Sequence, residues 1–98
     1  MKITVSEQAQ NWFIEELNLT SGSGIKFFGK YGGSTNVHSG FTTGMDIAQP
    51  SEDILGKTTE QEIIYFAETL DDWFFHGYDL EVGFDEKLGE PFYYYQAK

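Results

Sequence analysis

The stretch "YDLEVGFDE", residues 78–86, alternates without a break. Tyr78, Leu80, Val82 and Phe84 fall on one side, and Asp79, Glu81, Gly83 and Asp85 on the other. A period of two belongs to an extended strand with one face on a core and the other toward water. Whatever else the chain does, it builds a sheet.

The remaining segments sort around that strand. "KITV" reads as a short lead-in strand. Ser6 is a good N-cap with Glu7 at the positive end of the helix dipole, and Ala9, Trp12, Phe13 and Leu17 follow at helical spacing. The turn "TSGSG", residues 20–24, stops that helix. "GIKFFGK" is short and aromatic and reads as a strand, and from Phe41 the residues Phe41, Thr43, Met45 and Ile47 share a face until Pro50 ends the strand. "SEDILGKTTEQ" is polar and reads as a loop, and "EIIYFA" as a strand. "TLDDWFFHG" is expected to be a short helix capped by Thr69 and closed by Gly77, with Leu70, Trp73 and Phe74 as its buried stripe. "KLGEP" turns the chain into a last strand, "FYYYQ". Residues 1–98 form one β-rich α+β domain with one N-terminal helix and one short later helix.

Composition narrows the partners. Nine Phe, six Tyr and two Trp in 98 residues supply a modest core without disulfides. Sixteen Asp and Glu face six Lys and no Arg, for a net charge of −10. Such a charge repels phosphate backbones, and without Arg there is no bidentate clamp for anions, so neither nucleic acid nor an acidic substrate is expected. Cations or basic protein surfaces are compatible partners, but the better supported reading of an acidic surface is that it serves solubility. There is no Cys, which removes disulfides, thiolate metal sites and thiol catalysis. No stretch has the length or apolarity of a membrane span or a signal core, and a cytoplasmic location is expected. The aromatic "FYYYQ" either packs one face inward and shows the other to water, or takes part in a protein contact or weak self-association.

The candidate ligand loop is "GKYGGSTNVHSGF", residues 29–41. Gly24, Gly29 and Lys30 match the beginning of a phosphate-loop pattern. However, Tyr31 stands where a Ser or Thr belongs, and "IKFF" is strand-like. Gly32 and Gly33 either form a backbone nest or relieve strain in a turn. His38 is a weak candidate metal ligand, whereas His76 fits the negative end of a helix. Ser34, Thr35, His38 and Ser39 crowd the loop, but catalysis needs a nucleophile, base and orienter that converge in space. The adjacent pairs Glu15–Glu16, Asp71–Asp72 and Asp85–Glu86 read as solvated charge. Catalytic residues are not assigned, and the chain reads as a non-enzyme.

Three segments carry a resemblance. "MKITVSEQAQNWFIEEL", "GIKFFGKYGG" and "GYDLEVGFDEKLGEPFYY" together resemble the HesB/IscA-like family, the A-type iron–sulfur carriers, in order and spacing. The resemblance implies the family's fold and a link to iron–sulfur cluster biogenesis. The family's chemistry rests on three cysteines, one in a G-C-[SA]-G turn and two in a C-G-C pair, and thiolates suit such a cluster. Here the turn reads "GGSTNVHSG", Ser34 lies near the first cysteine position, and the chain finishes "FYYYQAK", so no ligand carries over. The implied protein is a cysteine-less family member without a cluster or other cofactor. It would be a binding or accessory protein of cluster biogenesis. The alternative is a small-ligand or divalent-metal binder that uses Gly32, Gly33, Ser34 and His38.

Overall fold

Residues 1–98 are described by a computed structural model. The alternating stretch becomes strand β6 (Tyr78–Asp85), with Leu80 and Val82 buried and Glu81 outward. It is the middle of a three-stranded sheet. β1 (Ile3–Val5) runs parallel to it, with Ile3 opposite Leu80 and Val5 opposite Val82. β7 (Glu90–Ala97) runs antiparallel on its other side. A second sheet has four strands in the order β3-β2-β5-β4, formed by β2 (Gly24–Ser34), β3 (Ser39–Ile47), β4 (Ile54–Glu60) and β5 (Ile63–Glu68). Strands β2 and β5 are parallel and the outer pairs antiparallel. The class is α+β and strand-rich, as read from the sequence.

Between β1 and β2 runs α1 (Glu7–Glu16). The Ser6 hydroxyl accepts the Ala9 N–H at 3.2 Å, which caps the helix. Ala9 and Phe13 enter the core, and Trp12 and Leu17 pack at its margin. Fourteen residues form one apolar cluster drawn from both sheets, α1 and the segment after β5, including Phe13, Phe27, Tyr65, Phe74, Phe75 and Tyr95. Phe27 stacks on Tyr65 at 6.2 Å, and Phe13 tilts against both. Burying rings of this kind contributes roughly 1.5–3 kcal/mol apiece. No helix is long and apolar enough to cross a membrane.

Three local expectations are corrected. The polar segment 51–61 is not a loop: it contains β4, an edge strand paired with the buried β5, and an edge strand needs no apolar run. Its hairpin turns at Gln61 (φ 48°) and Glu62 (φ 65°), held by Gln61 Nε2 donating to Gln10 and Asn11 on α1. The candidate ligand loop 29–41 is mostly hairpin. β2 continues through a bulge at Gly32 and Gly33 to Ser34, and β3 begins at Ser39. Finally, 69–77 is a 3₁₀ turn (Thr69–Asp71) followed by one turn of helix, α2 (Asp72–Phe75), with no side-chain cap from Thr69. The buried pair there is Phe74 and Phe75, while Leu70 is 87% and Trp73 58% exposed. In so short a segment the change from 3₁₀ to α winding breaks the i, i+3, i+4 stripe on which the expectation rested.

Candidate functional site

The hairpin tip folds inward, onto β7. Gly32 (φ 106°) and Gly33 (φ 68°) take backbone conformations that side chains disfavour, and the bulge they make swings residues 35–38 toward the three-stranded sheet. Asn36 then treats β7 as a neighbouring strand would. Its amide donates to the Tyr95 carbonyl at 2.9 Å and accepts the Tyr95 N–H at 3.1 Å. Because β7 is the terminal strand of its sheet, these are backbone groups that no strand pairs.

His38 is held at both ring nitrogens. Its Nε2–H donates to the Phe74 carbonyl at 2.7 Å, and Nδ1 accepts the Thr35 hydroxyl at 2.7 Å. A carbonyl can only accept, so Nε2 carries a proton. The same Thr35 oxygen accepts the N–H groups of Val37 and His38, at 3.1 and 2.8 Å. The ring stacks on Phe74 at 4.1 Å and meets the edges of Tyr95 and Tyr78. Thr35, His38 and a carbonyl thus stand in the order nucleophile, base, orienter, but the hydroxyl is occupied by the turn. None of the three hollows on the surface is lined by Thr35 or His38. No group of three or more His, Asp or Glu side chains converges where a metal could sit. Ser34 is exposed on β2, and His76 is exposed beside Asp72, 3.3 Å away.

The junction extends inward through Tyr95. Its hydroxyl is bonded to that of Thr43 on β3, which joins the two sheets. Burial pushes the Tyr95 phenol up to about 12, with the Thr43 bond pulling the other way. Tyr65, also buried, has a hydroxyl with no partner, and burial, with Glu60 adding, raises it to about 12.

Two exposed aromatic groups remain. Tyr31, 85% exposed, meets Phe41 at 5.5 Å, and Phe41 meets Trp73 at 5.2 Å, forming a ledge. On the outer face of the three-stranded sheet, Phe92 lies over Gly83 and Tyr94 is paired across the strands with Glu81. These two are 46% and 45% exposed. Asn36 was not found by sequence reasoning, whereas an outward face of β6 and of "FYYYQ" was. The structure assigns the residues: alternation through "FYYYQ" places Phe92 and Tyr94 outward and Tyr93 and Tyr95 inward.

The fold and its surfaces define a small strand-rich α+β protein whose one loop histidine is committed to packing and whose free aromatic side chains face outward. No family model matches the chain. It is 42% identical over 97 residues to a protein of Bacillus subtilis (strain 168) named pyruvate dehydrogenase inhibitor, a match covering 98% of this chain and 100% of that one. It is also 28% identical over 96 residues to an uncharacterised protein of Staphylococcus saprophyticus, covering 95% of this chain and 97% of that protein. A third relative, an uncharacterised protein of Staphylococcus haemolyticus, is 29% identical over 85 residues, or 84% of this chain and 85% of that protein. The chain belongs to the family of the Bacillus subtilis protein named pyruvate dehydrogenase inhibitor.

That finding corrects the reading as a HesB/IscA-like iron–sulfur carrier and the biogenesis role attached to it. The full-length relative carries the name of an enzyme inhibitor, and no family model supports a carrier. The resemblance rested on the order of strands, glycines and a capped helix, which report backbone geometry. The cysteines that would report chemistry are absent. The alternative, a small-ligand or divalent-metal binder at loop 29–41, gains no support either.

Proposed function

We propose that this chain is a non-catalytic regulator that inhibits pyruvate dehydrogenase by binding to it, acting in the cytoplasm. The observation that carries the proposal is the 42% identity to the named inhibitor along its whole length. The site geometry is consistent with it. The Thr35–His38 pair is spent on a turn and lines none of the surface hollows, while Tyr31, Trp73, Phe92 and Tyr94 are available to a protein partner. Aromatic side chains of this kind dominate the energetics of protein contacts. The proposal requires no cofactor, so strong chelator leaves both the melting temperature and the inhibition unchanged.

The test is direct. Purified chain is titrated into purified pyruvate dehydrogenase while the rate of pyruvate oxidation is followed. The expected result is a rate that falls to a plateau as the chain saturates its target, together with co-sedimentation of the two. An unchanged rate at large excess of the chain would sink the proposal.

A further inference from the structure

The outer face of the three-stranded sheet combines three properties found together nowhere else on the surface. It carries two half-exposed aromatic rings, Phe92 and Tyr94, on the terminal strand. It carries Asp79, Glu81 and Asp85 on β6, with Glu90 opposite Asp85. It is also indented. A hollow of about 450 Å³ is lined by residues that include Thr4, Asp79, Glu81 and Gln96. A second of about 400 Å³ is lined by Thr4, Glu81, Gly83 and Phe92 among others. Thr4 and Glu81 belong to both, so the hollows adjoin.

The acids of this face are not neutralised internally. The lysine–carboxylate ion pair of the protein is Lys26–Glu68, and the His76 ring lies against Asp72, both elsewhere. Lys2 and Lys98 line the first hollow, and at the far end of the face Lys87 follows Asp85, whose Oδ1 accepts the Lys87 and Leu88 N–H groups at 2.9 and 3.2 Å. Glu81, which lines both hollows, is a carboxylate with no lysine ion pair and no hydrogen bond. The aromatic ledge at Tyr31, Phe41 and Trp73 lines none of the hollows.

We propose that this sheet face docks a basic segment of the partner protein, with Lys or Arg side chains lying over Phe92 and Tyr94 and their charged heads at Glu81 and Glu90. An aliphatic stem packs on a ring while its cation meets the ring face and the nearby carboxylates. The net charge of −10 draws a cationic partner in, and the two rings decide where it settles. The inference rests on the inhibitory role proposed above, because it names the chemistry of the surface through which that role is exercised.

The experiment has two arms. In the first, isotope-labelled protein is titrated with a synthetic peptide alternating lysine and leucine, and amide shifts are mapped by NMR. Shifts are expected at Thr4, Glu81, Phe92 and Tyr94, with binding weakened about tenfold by Tyr94→Ala or Glu81→Lys and further by added salt. Shifts spread evenly over Glu7, Glu15 and Glu16 of α1, or gathered at Tyr31 and Trp73, would overturn the assignment. In the second arm the same variants, checked by thermal melting, are assayed against pyruvate dehydrogenase. Loss of inhibition supports the surface; inhibition as strong as wild type overturns it while leaving the inhibitory role intact. If wild type itself fails to inhibit, the inhibitory role falls, and the peptide map alone still decides the surface.

Discussion

The last strand shows two different proteins on its two faces. On the inner face, Tyr93 meets Phe27 at 5.8 Å, and Tyr95 is bonded to Thr43, flanked by Phe74 and His38, and held along its backbone by Asn36. On the outer face, Phe92 and Tyr94 have acids for neighbours and no side-chain hydrogen bond. Residue type does not distinguish the two faces, since both are aromatic. What differs is how many of their groups are already committed. Committed groups set stability, and uncommitted ones are left for recognition. Substitutions on either side should therefore separate into two kinds of phenotype.

The largest effect is expected from Phe74→Ala. Its ring is 1% exposed and touches His38, Trp73, Phe75 and Tyr95. Truncation leaves a cavity beneath the hairpin tip, at a cost of about 3–5 kcal/mol. Chemical denaturation measures this, and a loss under about 1 kcal/mol would mean that the junction collapses freely and is not the firm side of the comparison.

Asn36→Ala comes next. It strips the Tyr95 N–H and carbonyl of their partner while removing little apolar surface. The expected loss is about 1–3 kcal/mol where water cannot replace the amide. Hydrogen exchange at the Tyr95 amide is the sharper readout, and it should accelerate far more than exchange at Tyr94, which faces β6.

Much of this organisation was legible in the residues, and the failures share a cause. The capped α1, the alternating β6 and the apolar β5 were readable because each pattern is local and repeats. β4 was missed because an edge strand needs only pairing, and its turn at Gln61 and Glu62 uses no glycine or asparagine. Tertiary contacts with Gln10 and Asn11 support that turn, and no window of sequence contains them. His38 stood out in the sequence because histidine is rare here, yet its partners Thr35 and Phe74 lie 3 and 36 residues away. Asn36 went unnoticed because nothing local distinguishes a side chain that mimics a strand.

The buried phenols give a third contrast, one of sign. Folding holds Tyr65 and Tyr95 neutral: the folded groups sit near 12 against 10.0 for the free phenol. An acid whose folded value is raised lends stability that is complete below the unfolded value and lost as pH climbs through the folded one. Stability should therefore hold up to pH 10 and then fall toward 12, by on the order of 2 kcal/mol per phenol. Urea unfolding across that range checks it. At neutral pH the two part company. Tyr95→Phe orphans the Thr43 hydroxyl and costs about 1 kcal/mol. Tyr65→Phe removes a hydroxyl that has no partner, so it should be neutral or stabilising.

The smallest effects belong to the outer face, and they need not be equal. Phe92 covers Gly83 so closely that a methyl group added to the glycine would collide with its ring. An aromatic over a cross-strand glycine shields backbone that the glycine leaves bare, and such pairs contribute roughly 0.2–1 kcal/mol. Tyr94 stands opposite Glu81, an exposed side chain, with no glycine beneath its ring. Phe92→Ala should therefore lower stability by up to about 1 kcal/mol, and Tyr94→Ala by less than about 0.5 kcal/mol. Thermal melting of the two variants side by side tests this order. If Tyr94→Ala proved as damaging as Asn36→Ala, its ring would already be committed within the fold, and the division between the two faces of β7 would fail.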